Sequence, residues 1–276
     1  MGTTKSIFIC IAISISHLFS YSSDKIFELT KKGKWIEALK LYRKLPSYVK
    51  SRKKPKRLKR KQKKRRWHYW KLVKKNSKHK LFLKQLLKVE MHCKKKYFKY
   101  PYVLNNGMAC SLYKMVHTKS KKRILNVLKQ RRKYTKYIRT QCKKQKVPLF
   151  LEMIPAIESG YREVVESSAG AQGMWQFMKP TAKDMGLKVN KKTDERKKWK
   201  LSTKAALKYF AWLHNEFKSW DKALVAYHWG PGNVASALKE KKRFIEIIPD
   251  ISKKYLYDFS AYVIIAERGQ TIFKLP

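Results

Sequence analysis

Hydrophobic positions recur at helical spacing through much of the chain. From about Ser202, the residues Ala206, Phe210, Leu213 and Phe217 follow at intervals of four, three and four, the stripe of a helix packed on a core. Trp220, Ala223, Leu224 and Tyr227 form a second stripe, with Ser219 placed to cap its start and Gly230-Pro231 to stop it. Residues 148–157 read differently: Pro148-Leu149-Phe150-Leu151-Glu152-Met153-Ile154-Pro155-Ala156-Ile157 is apolar on almost every face, which predicts a helix buried all round. From about Leu81 to Gln145 the pattern is again helical with aromatic breaks, and residues 32–42 give a single amphipathic helix. The expected fold is all-α.

A carboxylate closes the apolar helix. Glu158 follows Ile157 and precedes Ser159-Gly160-Tyr161. Apolar surroundings disfavour the charged form of a carboxyl, and the negative end of a helix dipole does the same. Both raise its pKa toward the range where an acid still donates a proton near neutrality, the property needed to cleave a glycosidic bond. A helix-end glutamate bonded to backbone is the alternative role. Twelve residues on, Gly170-Ala171-Gln172-Gly173-Met174-Trp175-Gln176-Phe177-Met178 supplies two glycines that permit conformations or close approaches barred to other residues. Gln176 offers one acceptor and two donors, suited to sugar hydroxyls and acetamido groups. Of Trp175, Phe177 and Met178, at least two are expected in the core rather than in a groove. Tyr227 and His228 end their helix, where they either face a cleft or, in the case of the histidine, serve as a surface or internally satisfied side chain.

Charge divides the chain. Of 68 Lys and Arg, 46 lie in the first 150 residues, beside only 4 of the 18 acids. Between Ser51 and Lys80 there are seventeen cations and no acid, with Trp67, Tyr69 and Trp70 interleaved. Like-charge repulsion argues against a compact domain there, so about 50–80 reads as a flexible or loosely helical linker. The start, Met1-Gly2-Thr3-Thr4-Lys5 and then an apolar run from Ile7 to about Ser20, reads as a secretory signal peptide over 1–22, the run being short for a membrane span. With that removed, Cys93, Cys110 and Cys142 remain. An odd number without C-x-x-C or H-E-x-x-H indicates neither a disulfide framework nor a metal site, although one pair could oxidise after export.

Three segments in order, Glu158-Ser159-Gly160-Tyr161, Gly170 to Met178 and Ala226-Tyr227-His228-Trp229-Gly230-Pro231-Gly232, resemble the goose-type-lysozyme-like catalytic domain of the lytic transglycosylases, in the membrane-bound transglycosylase D branch. The resemblance covers roughly residues 120–265. It implies a lysozyme-like helical catalytic domain over 146–276 that needs no cofactor. Glu158 is then the sole catalytic acid and base, Ser167 supports the reacting sugar, Met174 and Gln176 are cleft positions, and Tyr227 is the tyrosine of an Ala-Tyr-Asn motif whose asparagine is replaced by His228. Ser252-Lys253-Lys254-Tyr255-Leu256 is similar to the family's Glu-Thr-x-x-Tyr-Val and makes Tyr255 the cleft tyrosine beside Glu158, with Ile251 where a glutamate is usual. Asp194-Glu195-Arg196 and Ser202 to Ala206 also match this branch. Residues 32–42 resemble half a tetratricopeptide repeat, without a second copy.

The implied organisation is a signal peptide (1–22), a basic helical and linker region (23–80), a helical region packing on the catalytic domain (81–145) and the catalytic domain (146–276). The implied reaction is non-hydrolytic cleavage of the bond between N-acetylmuramic acid and N-acetylglucosamine in peptidoglycan, in the periplasm or cell envelope, with residues 51–80 suited to anionic wall polymers or a lipid surface. A hydrolase on the same fold would need a second carboxylate; Glu163 and Glu166, the nearest that follow it in sequence, read as solvated side chains. A nucleic-acid-binding protein would suit the basic half, and the export signal argues against it. A catalytically idle wall-binding module is opposed by the intact Glu158.

Overall fold

A computed structural model describes residues 25–44, 77–94, 105–240 and 242–275. Residues 1–22, where a signal peptide is expected, and the basic tract from 45 to 76 lie outside the described residues. The described residues are helical, with isolated bridges (Glu166 to Gln172, Gln172 to Phe177, Val189 to Asp194) and no strand among them. No helix among them is long and apolar enough to cross a membrane.

The described residues divide into two compact units, one holding 25–44, 77–94 and 105–110, the other 111–240 and 242–275. In the first, α1 (25–31) turns at Gly33, whose φ of +70° is a left-handed conformation that glycine adopts freely, into α2 (Trp35–Lys44). Trp35, Ala38, Leu39 and Tyr42 bury one face of α2. Phe82, Leu83, Leu86 and Val89 do the same for α3 (Ser77–Lys94), and Trp35 meets Phe82 edge-on at 4.7 Å. The amphipathic helix read from residues 32–42 is therefore not single. It follows α1 and buries its stripe against α3, which starts inside the tract read as linker.

The division between units falls within α4 (Asn106–His117). The second unit continues with α5 (Lys121–Lys144), a 3-10 turn (Leu149–Met153), α6 (Ile154–Glu158) and α7 (Lys179–Asp184). Then come α8 (Trp199–Phe217), α9 (Trp220–Trp229), α10 (Pro231–Ala237), α11 (Phe244–Ile247) and α12 (Asp250–Phe273). α9 is central, packing on α8, α10 and α12, while α12 also packs on α6. The α8 stripe falls as the spacing predicts, with Ala206, Phe210, Leu213 and Phe217 all buried, although the helix starts at Trp199. Trp175, Phe210 and Phe259 are sealed from solvent. Each such side chain contributes about 1.5–3 kcal/mol through burial.

Two local expectations are corrected. Residues 148–157 do not form one helix. Pro155 lacks the N–H that would continue the ladder, so a 3-10 turn hands over to a separate α6 with Pro155 in its first turn. Nor is the segment buried all round, since Leu149 is 39% exposed. Ser219 occupies the N-cap position of α9, but its hydroxyl bonds the Asp221 carboxylate and makes no cap to backbone.

Candidate active site

Glu158 ends α6, held from three sides. Upstream, the 3-10 turn carries Glu152, a buried carboxylate whose Oε1 accepts from Arg131 Nη2 and Arg139 Nη2, both at 2.6 Å, and whose Oε2 accepts from Arg139 Nε at 2.9 Å. This fork ties the turn to α5 through charge-assisted bonds. Downstream, Ser159 donates to the carbonyl of Met174 at 2.8 Å. Tyr161, with a φ of +63°, reaches back so that its hydroxyl donates to the Glu152 carbonyl at 2.6 Å. The α6 end is thus fixed to α5 before it and to the glycine loop after it.

The third side is α12. Tyr255, buried on its first turns, donates its hydroxyl to Glu158 Oε1 at 2.7 Å across 97 positions of sequence. Glu158 Oε2 has no hydrogen-bond partner among the described residues and is not a sealed atom. Burial pushes the Glu158 carboxyl up from 4.5 to about 7, against the lowering effect of the Tyr255 bond. His228 lies flat on the Tyr255 ring, 4.3 Å between centroids and 10° between planes, and burial lowers its imidazole below the ordinary value. Tyr227 stacks on Phe210 at 4.4 Å and donates to the Trp175 carbonyl at 2.6 Å. Its phenol is raised well above the usual range by burial and then by the nearby Glu158 charge.

The glycine loop folds around Gly173, which has a φ of +78° and whose absent Cβ would fall 2.0 Å from the Arg196 carbonyl oxygen. Only glycine fits there. Arg196 itself is buried, paired through two nitrogens with Asp194, and its Nη1 donates to the carbonyls of Gly170 and Phe177 at 3.0 and 3.1 Å. The Asp194-Glu195-Arg196 run is therefore a brace for this loop. Trp175 is sealed beneath it with its indole N–H on Thr203 Oγ1 at 2.9 Å.

The remaining sequence candidates are distributed less evenly. Ser167 closes the loop's turn, its Oγ accepting from the Ala171 N–H at 3.0 Å. Gln176 spends its amide N–H groups on the carbonyls of Gly173 and Val165, at 2.8 and 3.1 Å, so the two donors expected for sugar groups are taken. Met174 is fully buried and offers no side-chain surface to a ligand, whereas Met178 is 44% exposed. Glu163 is not a free solvated carboxylate: it accepts from the Tyr134 hydroxyl at 2.8 Å, and Glu166 accepts from Gln172 Nε2 at 2.8 Å. Among the described residues no group of three His, Cys, Asp or Glu is placed to hold a metal ion. Cys110 donates its thiol to the Gly33 carbonyl at 3.4 Å, and burial pushes the Cys142 thiol up to about 12.

Residues 136–248, from the C-terminal part of α5 to α11, match the family described as the transglycosylase SLT domain. Over 130 residues, 47% of this chain, the sequence is 32% identical to membrane-bound lytic murein transglycosylase D of Escherichia coli, of which the match covers 29%. The chain thus spans less than a third of that relative's length. Among solved structures, an inactive mutant of the lytic transglycosylase Slt from Pseudomonas aeruginosa aligns with 92% of this chain and 52% of its own, at 16% identity and a TM-score of 0.44. The 70 kDa soluble lytic transglycosylase of Escherichia coli aligns with 91% of this chain and 46% of its own, at 13% identity and a TM-score of 0.46.

The Glu152 fork was missed in the sequence, although it left a trace. A lone acid inside an apolar segment requires a buried cation, and Arg131 and Arg139 sit in the helix just before it.

Proposed function

We propose that the chain is a peptidoglycan lytic transglycosylase of the cell envelope, exported, with Glu158 as its acid and then its base. The observation that carries this reading is the Glu158 carboxyl held through Oε1 by Tyr255 with Oε2 left open. In the first step the protonated Oε2 gives its proton to the oxygen joining N-acetylmuramic acid to N-acetylglucosamine, and the bond from that oxygen to the muramyl C1 breaks. The carboxylate left behind is stabilised by the Tyr255 hydroxyl. It then takes the proton of the muramyl 6-hydroxyl while O6 bonds to C1, closing a 1,6-anhydro ring and restoring the acid. No water enters, and the intramolecular nucleophile replaces a bimolecular step. A hydrolase would use a second carboxylate about 5–9.5 Å from the first. Of the nearest in sequence, Glu163 is engaged by Tyr134, Glu152 by Arg131 and Arg139, and Glu166 by Gln172.

Tyr255→Phe tests this arrangement. The variant keeps the ring on which His228 stacks and removes the one hydrogen bond to Oε1. Release of soluble fragments from purified sacculi is expected to slow by about tenfold or more per folded molecule, with KM little changed, because a bond to a charged group contributes roughly 1.5–3 kcal/mol. The variant's carboxyl also loses the bond that holds its pKa down, so the fall in rate at rising pH moves upward. A purely structural tyrosine would lower the melting temperature and leave both the rate constant and the pH profile in place.

A further inference from the structure

α9 stops beside the acid, and its last turn sends two rings in different directions. Gly230, at a φ of +97°, and Pro231 end the helix after Trp229, and the Gly230 N–H closes its last turn on the Ala226 carbonyl at 2.9 Å. Tyr227 is tied inward through its bond to the Trp175 carbonyl. His228 instead covers one face of the Tyr255 ring and leaves the rest of its side chain exposed. Neither imidazole nitrogen has a hydrogen-bond partner among the described residues, and neither is a sealed atom. The Ala-Tyr-Asn motif that this segment resembles has an amide at that position. A ring there covers the phenol as a flat plate, and it can also take a positive charge.

α9 packs on α8, α10 and α12. From α8 come Tyr209, against Tyr227, and His214, stacked on Trp220 at the other end of α9. α10 carries no titratable side chain. From α12 comes Tyr255 itself, while the cations before it are paired, Lys253 with Asp250 and Lys254 with Asp258. Beyond the Tyr255 hydroxyl lies Glu158. Burial lowers the imidazole and raises the carboxyl to about 7, so just below neutrality both are uncharged. No imidazolium then repels the positive charge that develops on the sugar ring as its bond breaks. Protonation of the imidazole sets a like charge against that ring and, across the phenol it covers, favours the carboxylate over the acid.

We propose that His228 is a positioning residue of the cleavage reaction: as a neutral plate it holds the Tyr255 hydroxyl on Glu158, and as a cation it disarms the pair. The chain then works within a pH window closed from above by Glu158 and from below by His228. The window rests on the transglycosylase reading given above.

The test follows release of soluble fragments from purified sacculi against pH, per folded molecule, using the full chain. Wild type is expected to give a bell. His228→Ala removes the plate, and its apparent kcat is expected to fall about two- to tenfold with KM little changed, the range that one aromatic pair is worth. His228→Phe restores the plate without the charge: it recovers most of that loss near pH 7, and its rate no longer falls on the acid side. An acid limb kept by His228→Phe at the wild-type midpoint, or an apparent kcat unchanged in His228→Ala, overturns the proposal. A merely structural histidine would lower the melting temperature of both variants and leave the pH profile in place. Two NMR titrations supply a readout independent of turnover. The imidazole signal missing from His228→Phe must titrate at the midpoint of the acid limb and below the carboxyl signal missing from Glu158→Gln; the reverse order makes the two an ion pair and overturns the proposal. The Glu158 carboxyl should titrate at higher pH in His228→Ala, where the Tyr255 bond that holds it down is loosened, and return in His228→Phe. If wild type releases nothing at any pH, the transglycosylase reading fails, and the carboxyl decides the role of the plate by itself: a midpoint that rises in His228→Ala sustains it, and one that stays in place sinks it.

Discussion

Glu158→Gln is expected to abolish fragment release while making the protein more stable at neutral and alkaline pH. The amide is close to the carboxyl in shape but has no proton to give, and positioned general acid–base groups supply about 10²–10⁴ in rate. The stability effect follows from the sign of the pKa shift. The folded carboxyl titrates near 7 rather than 4.5, because burial disfavours its charge. Below about pH 4.5 the group is protonated in both folded and unfolded states and costs nothing. As pH rises through the window from 4.5 to 7 the unfolded chain ionises first, so the folded state loses on the order of 1–3 kcal/mol relative to it. Glutamine removes that loss. Chemical denaturation at pH 5 and pH 8 should show a gain for the variant that grows with pH. Turnover within a few-fold of wild type would exclude Glu158 as the acid, and a variant destabilised equally at both pH values would assign it a structural bond instead.

The second large effect is at Glu152. Its side chain is 4% exposed and its partner Arg131 15% exposed, and Arg131 Nε is already a buried atom without a partner. Glu152→Ala leaves the Arg131 charge buried and unpaired, and removing one member of a buried pair costs about 3–5 kcal/mol. Arg139 is 42% exposed and can turn to water, which places the expected loss near the lower end, at about 3 kcal/mol. A urea midpoint lowered with an unchanged slope is the expected result. A shift worth less than about 1 kcal/mol would show that the fork contributes little. Because the turn it anchors leads directly into α6, residual activity per folded molecule should fall too.

Much of the scaffold was legible because burial follows periodicity. The α8 stripe at 206, 210, 213 and 217 needs only the 3.6-residue repeat to be placed. The burial of Trp175 and Phe177 with Met178 left outside agrees with a loop whose aromatic residues serve the core. Residues 148–157 were misread because hydrophobicity was weighed without the missing N–H of Pro155. The Ser219 cap failed because a nearer carboxylate, Asp221, competes for its hydroxyl. At the site, the pairing of Glu158 with Tyr255 spans 97 positions, and no local pattern specifies it; only the family resemblance brought the two residues together in the sequence reading. The internal bonds of Gln176, the burial of Met174 and the Arg196 brace depend on how the loop closes, which spacing alone does not encode.

The most direct measurement is the mass of the muropeptides released when purified sacculi are digested with the full chain. One carboxylate working first as acid and then as base, with the 6-hydroxyl as nucleophile, gives muramyl ends closed as 1,6-anhydro rings. Each such fragment is lighter by one water than the fragment a hydrolase leaves. Fragments that all carry a reducing muramyl end would contradict the mechanism and assign water as the nucleophile.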